Sequence, residues 1–128
     1  MKDDMKIAFD KYVNALNSLA HGIKEANSEL GKDGVIQRFE FTFELLWKSL
    51  KIFLNEEGID CKSPKDCLKS AFKYGLIQDE QILLDILLDR NNSTHIYSKE
   101  ESEEIFERIK NVYVFEFIKI KSELNSRI

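Results

Sequence analysis

An arginine and a histidine lie five positions apart in the segment "DRNNSTHIY", residues 89–97, between two apolar stretches. Arg90 offers a bidentate guanidinium fork to a phosphate, and His95 can exchange protons near neutral pH, so the pair suits phosphoryl transfer. A continuous helix would hold the two side chains about 140° apart. The polar residues between them favour caps and turns, which predicts a break where both could face one site. An ordinary polar loop between two helices is the alternative, because RxxxxH alone is a weak pattern.

The composition is typical of a soluble globular protein. The chain has 128 residues, 33% of them charged and 43% hydrophobic, which predicts a single domain over 1–128. Its apolar runs are too short for a membrane span and the N-terminus lacks a signal-peptide pattern, so we expect a cytoplasmic protein without a membrane partner. The net charge of −4 argues against indiscriminate nucleic-acid binding but permits a local basic cleft.

The two cysteines, Cys61 and Cys67, match no zinc or redox spacing. A ligand role and a disulfide both remain open, but reduced thiols are the expectation for a cytoplasmic chain.

Apolar residues recur at three- and four-residue steps along most of the chain, which predicts an all-α fold. Serine or aspartate caps and terminal glycines mark the connections between the helices. We therefore predict an antiparallel bundle of four to five helices, in which helices one, two and five pack with the fourth. The predicted bounds are a first helix before a linker at 27–34, then helices at about 35–57, 64–75, 80–90 and 99–128.

The second predicted helix carries two apolar faces. Val35 to Leu54 supplies a broad one, and Phe41, Leu45 and Ile52 form a narrow stripe on nearly the opposite side. Such a helix is either central in one monomer or shared with a second copy in a dimer.

Acidic residues lie between those two faces. Glu40 and Glu44 are four positions apart, and this like-charged pair is unfavourable unless a cation lies nearby. Arg90 is one candidate for that cation, and a solvated helix face is the simpler alternative.

Two segments together resemble a known family. The arrangement Arg90-Asn91-x-x-x-His95-x-Tyr97 between two helices resembles the signature of HEPN domains, and "RFEFTFELLWKSLKIFL", residues 38–54, resembles the second helix of one HEPN branch. That branch is the nucleotidyltransferase substrate-binding-protein-like family, the HEPN half of MNT/HEPN toxin–antitoxin pairs. The resemblance covers nearly the whole chain.

The resemblance implies a toxin of a type II/VII-like pair that cleaves RNA as a homodimer, without a metal ion or cofactor. His95 would act as general acid or base, and Arg90 would stabilise charge on the phosphate. Asn91 would orient one of them or hold the loop by hydrogen bonds. Apart from the resemblance, the spacing of Glu40 and Glu44 would let them support Arg90. A partner minimal nucleotidyltransferase (MNT) would silence the toxin by adding AMP to Tyr97, for which packing at a helix entrance is the alternative role.

Two other functions fit the same residues. The chain could be a non-catalytic subunit that presents substrate to a nucleotidyltransferase, or a structural dimerisation bundle, which would leave residues 90–97 unexplained. The chain carries no Gly-Ser followed by spaced aspartates, so we do not expect it to transfer nucleotides itself.

Overall fold

The structure, a computed structural model, describes residues 2–96 and 98–128, and the described residues are helical with short connections and no strands. The last three helical segments follow one another without a gap, so the fold consists of five helical rods. The prediction of an all-α bundle of four to five helices is confirmed. The segments are α1 (Lys2–Glu25), α2 (Glu29–Glu56), α3 (Pro64–Tyr74), α4 (Glu80–Asn92), a 3₁₀ turn (Ser93–His95), α5 (Lys99–Arg108), a π-helical turn (Ile109–Tyr113) and α6 (Val114–Arg127).

Side-chain caps start four of the helices. Ser63, Asp79 and Ser98 each accept a hydrogen bond from the backbone N–H three residues ahead, as their positions in the sequence predict. Ser28 does the same for Gly31, so α2 begins at Glu29 rather than at about Val35. The predicted linker 27–34 is therefore wrong over most of its length, because the cap satisfies an N–H group that the glycine-rich segment would otherwise leave free.

The first two helices form an antiparallel pair. The Thr42 hydroxyl of α2 lies 3.3 Å from the carbonyl oxygen of Ala15, and Arg38 donates to the carbonyl of Ser18, so rising numbers on α1 meet falling numbers on α2. The broad apolar face of α2 lies in the core, where Phe39, Phe43, Leu46, Leu50 and Leu54 are fully buried. This packing makes α2 the central helix of the chain.

The last rod runs in the same direction as α2. Lys32 near the start of α2 pairs with Glu103 on α5, and Phe39 stacks on Tyr113 with their ring centroids 5.7 Å apart. This direction differs from a fully antiparallel order because α3 and α4 together carry the chain back to the start of α2. The Tyr12 hydroxyl of α1 donates to the carbonyl of Phe117 at 2.6 Å and ties the rod to the opposite side of the core.

The expectation of reduced cysteines is wrong. Cys61 and Cys67 form a disulfide, with their Cα atoms 5.1 Å apart, and both are fully buried. The turn at Ser63 and Pro64 brings the first turn of α3 back against the segment after α2, which places the two thiols face to face. The bond therefore fixes the start of α3.

Within the described part of the chain, no helix is both long enough and apolar enough to cross a membrane.

Candidate active site

The predicted break occurs slightly later than the sequence indicates. α4 continues past Arg90 to Asn92, and the chain then tightens into the 3₁₀ turn Ser93–His95 before α5 begins. The Ser93 N–H still donates to the Asp89 carbonyl, which makes the turn a direct continuation of α4. The position of the turn is thus set by the last residues of that helix.

The α2 side of the turn holds Arg90. Its Nη2 atom lies 3.6 Å from Oε2 of Glu44, and each side chain is about one third exposed, at 34% and 35%. The other oxygen of Glu44 lies 3.6 Å from Nζ of Lys48. Arg90 and Lys48 thus supply the cations that the Glu40–Glu44 pair requires, and Arg90 is anchored to the central helix by a partly solvated ion pair.

Glu40 contacts the turn itself. The Ser93 hydroxyl is within hydrogen-bonding distance of the Glu40 carboxylate and lies 2.8 Å from the carbonyl of Arg90. Because a hydroxyl has one hydrogen, it donates to one of these oxygens at a time. Glu40 and Glu44 are one helical turn apart, so α2 contacts both the last turn of α4, at Arg90, and the first residue of the 3₁₀ turn, Ser93, through two carboxylates.

The α5 side of the turn holds His95. Its side chain is exposed and lines an open cleft of about 300 Å³ between the turn and α5. The cleft is lined by Asp89, Asn92, His95, Ile96, Glu101, Glu104, Ile105 and Arg108. Arg90 is not among these lining residues, and Asn91 is exposed on the surface of α4. Within one chain, Arg90 and His95 therefore lie at one turn but on two sides of it.

Ile96 separates these two sides. It lines both the His95 cleft and a second depression of about 450 Å³ that contains Glu40 and Ser93. The side chain is half-buried and packs against the core. The hydrophobic residue thus anchors the turn between the two polar surfaces.

Three candidate functional residues were not predicted from the sequence. Asp89 is buried and accepts hydrogen bonds from Arg108, at 2.7 Å from Nε and 2.9 Å from Nη2, and from the Tyr113 hydroxyl at 2.5 Å. We call Asp89, Arg108 and Tyr113 the α5-side clamp. Asp89 lies at the end of the buried face of α4, three residues after Ile86, and a carboxylate in register with buried residues is the signal in the sequence that could have revealed it.

Charge and burial act together in the clamp. The Asp89 hydrogen bonds raise the pKa of Arg108 above its ordinary value, so the guanidinium stays charged. Burial, and secondarily the hydrogen bond to Asp89, raises the pKa of the Tyr113 hydroxyl well above its usual range. Tyr113 therefore acts as a neutral donor to a buried carboxylate whose charge Arg108 balances.

Tyr97, the predicted modification site, lies outside the described residues.

A family comparison covers almost all of the chain. The model of the family described as "Nucleotidyltransferase substrate binding protein like" matches residues 7–126. The chain belongs to this family. The predicted family is therefore confirmed.

A curated relative matches part of the chain in sequence. A Haemophilus influenzae (strain ATCC 51907 / DSM 11121 / KW20 / Rd) protein named "Probable ribonuclease HepT" is 32% identical over an alignment of 81 residues that covers 59% of this chain and 56% of that relative. The match thus spans little more than half of the curated relative's length.

Two solved structures share the fold. A Thermus thermophilus protein of 31% identity superposes with a TM-score of 0.77, covering 91% of this chain and 97% of its own. A Haemophilus influenzae protein, described as revealing the fold of a substrate binding domain of a nucleotidyltransferase, superposes with a TM-score of 0.64 at 22% identity, covering 96% and 98%. The second likeness concerns the fold alone.

Proposed function

We propose that this protein is a metal-independent ribonuclease of the HEPN type, with Arg90 and His95 as its catalytic residues. One observation carries the proposal: an arginine paired with Glu44 lies in the last turn of α4, and an exposed histidine that lines an open cleft lies in the 3₁₀ turn directly after it. The relative named as a probable ribonuclease supports the same activity.

The proposed reaction is cleavage by the neighbouring ribose hydroxyl. The 2′-oxygen bonds to phosphorus while the bond from phosphorus to the 5′-oxygen breaks, which yields a 2′,3′-cyclic phosphate and a free 5′-hydroxyl. One imidazole removes the 2′-hydroxyl proton and another donates a proton to the leaving oxygen. Arg90 stabilises the charge that builds on the phosphate oxygens, and Asn91 beside it orients the phosphate.

A homodimer supplies the second imidazole of this mechanism. On α2, Leu45 and Ile52 are half-buried against the core, whereas Phe41 of the same narrow stripe is 62% exposed. An aromatic side chain left in solvent after the bundle has packed is a candidate contact for a second copy. We propose that the dimer brings two turns to one RNA-binding cleft.

The proposed partner is a minimal nucleotidyltransferase that acts as antitoxin. Tyr97 is two residues from His95 in sequence, so an AMP group on its hydroxyl would place negative charge next to the imidazole and repel the RNA phosphate. Co-expression with the partner followed by peptide mass spectrometry tests this step. An AMP group on another tyrosine would overturn the assignment of Tyr97.

Growth and cleavage assays test the catalytic assignment. The wild type is expected to arrest growth when expressed without its partner, and Arg90→Ala or His95→Ala is expected to abolish both arrest and cleavage while the helical fold is kept. The matched controls are Arg127→Ala, which removes an arginine paired with Glu123, and His21→Ala, which removes the chain's other histidine, exposed on α1. Cleavage is expected to continue in EDTA. Full toxicity of the Arg90 and His95 variants would refute the proposal.

A second candidate function is that of a non-catalytic substrate-binding subunit, which the description of the family favours. In that case the chain would bind a nucleotidyltransferase and raise its activity on substrate. The His95→Ala variant would then keep this effect, and neither variant nor wild type would cleave RNA.

A further inference from the structure

The end of α4 is held by an unusual segment of the last rod. At the π-helical turn Ile109–Tyr113 the Val114 N–H donates to the carbonyl of Ile109, five residues back. Such a turn contains one residue more than a turn of α-helix. Each later residue is therefore rotated by about 100° from the position it would have in an uninterrupted α-helix. Tyr113 is the last residue of this turn, and its hydroxyl reaches Asp89. The wide turn therefore lies where the rod meets the residue that precedes Arg90.

The clamp is strong because each partner is fixed. Arg108 contacts Asp89 with two nitrogens of its planar guanidinium, a geometry that sets distance and angle at once. Tyr113 is buried and stacks on Phe39, so its hydroxyl has little freedom. Asp89 thus accepts three hydrogen bonds from a rigid part of the bundle.

The clamp is also joined directly to the catalytic turn. The Asp89 carbonyl accepts the N–H of Ser93, the first residue of the 3₁₀ turn. Asp89 and Arg108 line the same cleft as His95, so the width of the cleft depends on how closely they pair. Glu101 and Glu104, which also line the cleft, are exposed and make it acidic overall, so Arg108 is better suited to hold Asp89 than to bind a phosphate.

We propose that Asp89, Arg108 and Tyr113 are positioning residues that hold the end of α4 and thereby fix the position of His95. The inference rests on the proposed function for its catalytic consequence. Without the clamp, the buried residues of α4 still hold the helix in the core, but its end is held only by the exposed Arg90–Glu44 pair, the contact of Ser93 with Glu40 and the packing of Ile96, so the turn is expected to sample a wider range of positions. A displacement of about 1 Å at a catalytic group can reduce the rate by about 100-fold.

Chemical rescue is the first test. Arg108→Ala is expected to lower kcat about 10- to 100-fold, with a KM within threefold of the wild type, because the reacting groups are misplaced rather than removed. Since the Arg108 side chain is 43% exposed, added guanidinium at tens of millimolar can reach the vacated position beside Asp89 and is expected to restore part of kcat. Asp89→Asn is expected to lose activity without such rescue. Arg127→Ala, which removes an arginine paired with Glu123, is the control. It is expected to keep the wild-type kcat and to show no increase in kcat when guanidinium is added.

The NMR signals of the two histidine rings provide a test that does not require the protein to cleave RNA. The chain has two histidines, so the signal of His21 on α1 is an internal reference for that of His95. In Tyr113→Phe and Arg108→Lys, the His95 signal is expected to shift or broaden while the His21 signal stays in place.

The outcomes separate the two proposals. In one outcome the wild type cleaves RNA, and Arg108→Ala, assayed at a temperature well below its Tm, has the wild-type kcat and an unchanged His95 signal. The positioning role is then refuted and the ribonuclease proposal stands. If the wild type does not cleave RNA but the His95 signal moves in the clamp variants, the ribonuclease proposal fails and the positioning of the turn is supported.

Discussion

The two sides of the 3₁₀ turn are held by ion pairs of very different character. On the α2 side, Arg90 and Glu44 are 3.6 Å apart and each is about one third exposed. On the α5 side, Arg108 meets Asp89 through two hydrogen bonds of 2.7 and 2.9 Å, and the Asp89 side chain is only 12% exposed. Water screens both partners of the first pair, whereas in the second it reaches the Arg108 side chain, which is 43% exposed, but is largely excluded from the Asp89 carboxylate.

The difference indicates a division of work. A loosely paired arginine can leave Glu44 and turn to an RNA phosphate at little cost, because exposed ion pairs contribute little stability. A buried carboxylate with three donors resists displacement and fixes the backbone that carries it. We infer that the α2 side supplies a mobile cation and the α5 side a fixed frame.

The largest effect is expected from removal of the fixed carboxylate. Asp89→Ala leaves the buried Tyr113 hydroxyl and the Arg108 fork without their acceptor, so the free energy of unfolding should fall by about 2–3 kcal/mol. Urea unfolding followed by circular dichroism measures the change. A loss no larger than that of Glu44→Ala would mean that the two sides do not differ.

A somewhat smaller effect is expected from a bond outside both sides of the turn. Reduction of Cys61–Cys67 should lower the free energy of unfolding by about 2 kcal/mol, because the unfolded chain loses a short closed loop. Unfolding with and without a phosphine reductant measures this, and RNA cleavage by the folded protein should not change. Free thiols in freshly denatured, unreduced protein would show that the bond is absent.

A loss of about 1 kcal/mol at neutral pH is expected from Tyr113→Phe, which removes one hydrogen bond and keeps the ring. The wild-type hydroxyl has a raised pKa in the folded state, so its contribution is complete below the unfolded pKa near 10 and is lost as the pH rises toward the folded value. Above pH 10 the wild type should therefore lose stability faster than the variant, by up to about 1.4 kcal/mol per pH unit. Parallel pH profiles would show that Tyr113 is not buried against Asp89.

The smallest effect is expected on the α2 side. Glu44→Gln should change the free energy of unfolding by less than about 0.5 kcal/mol, and 1 M salt should erase the difference. Because Glu44 pairs with Arg90, the substitution should instead change the KM for RNA. Expressed as a free energy, that change should exceed the change in the free energy of unfolding. A loss of stability near that of Asp89→Ala would show that the α2 side holds the turn as firmly as the α5 side does.

Helices and their starts were largely predictable from the sequence, because local signals determine them. Ser63, Asp79 and Ser98 cap their helices as predicted, and the buried residues of α2 follow the expected period. The start of α2 was missed because the cap at Ser28 outweighs the glycines that follow it. The disulfide was missed because spacing alone does not determine whether a turn brings two cysteines together.

The candidate site was predictable only in part. Arg90 and His95 stand out by residue type, and the Arg90–Glu44 contact was one of the considered alternatives. The α5-side clamp depends on packing between α4 and the last rod, which the local pattern indicates only weakly. One signal was present: buried Ile105, Ile109, Tyr113 and Phe117 follow one another in three four-residue steps. Each step drifts by about 40° in an ideal α-helix, about 120° in all, and a π-helical turn absorbs most of that drift.

The π-helical turn also has a consequence for how the chain can change in length. It sets the rotational phase between α5, whose Glu103 meets the start of α2, and α6, whose Phe117 meets Tyr12. Deletion of a single residue within 109–113 would convert the turn to regular α-helix and leave the core residues of α6 facing the same way, because the turn already accommodates one extra residue. Deletion of one residue at another position of the rod, with the π-helical turn kept, would instead rotate those core residues by about 100°. The π-helical turn is therefore the place where the last rod can shorten by one residue without losing its packing.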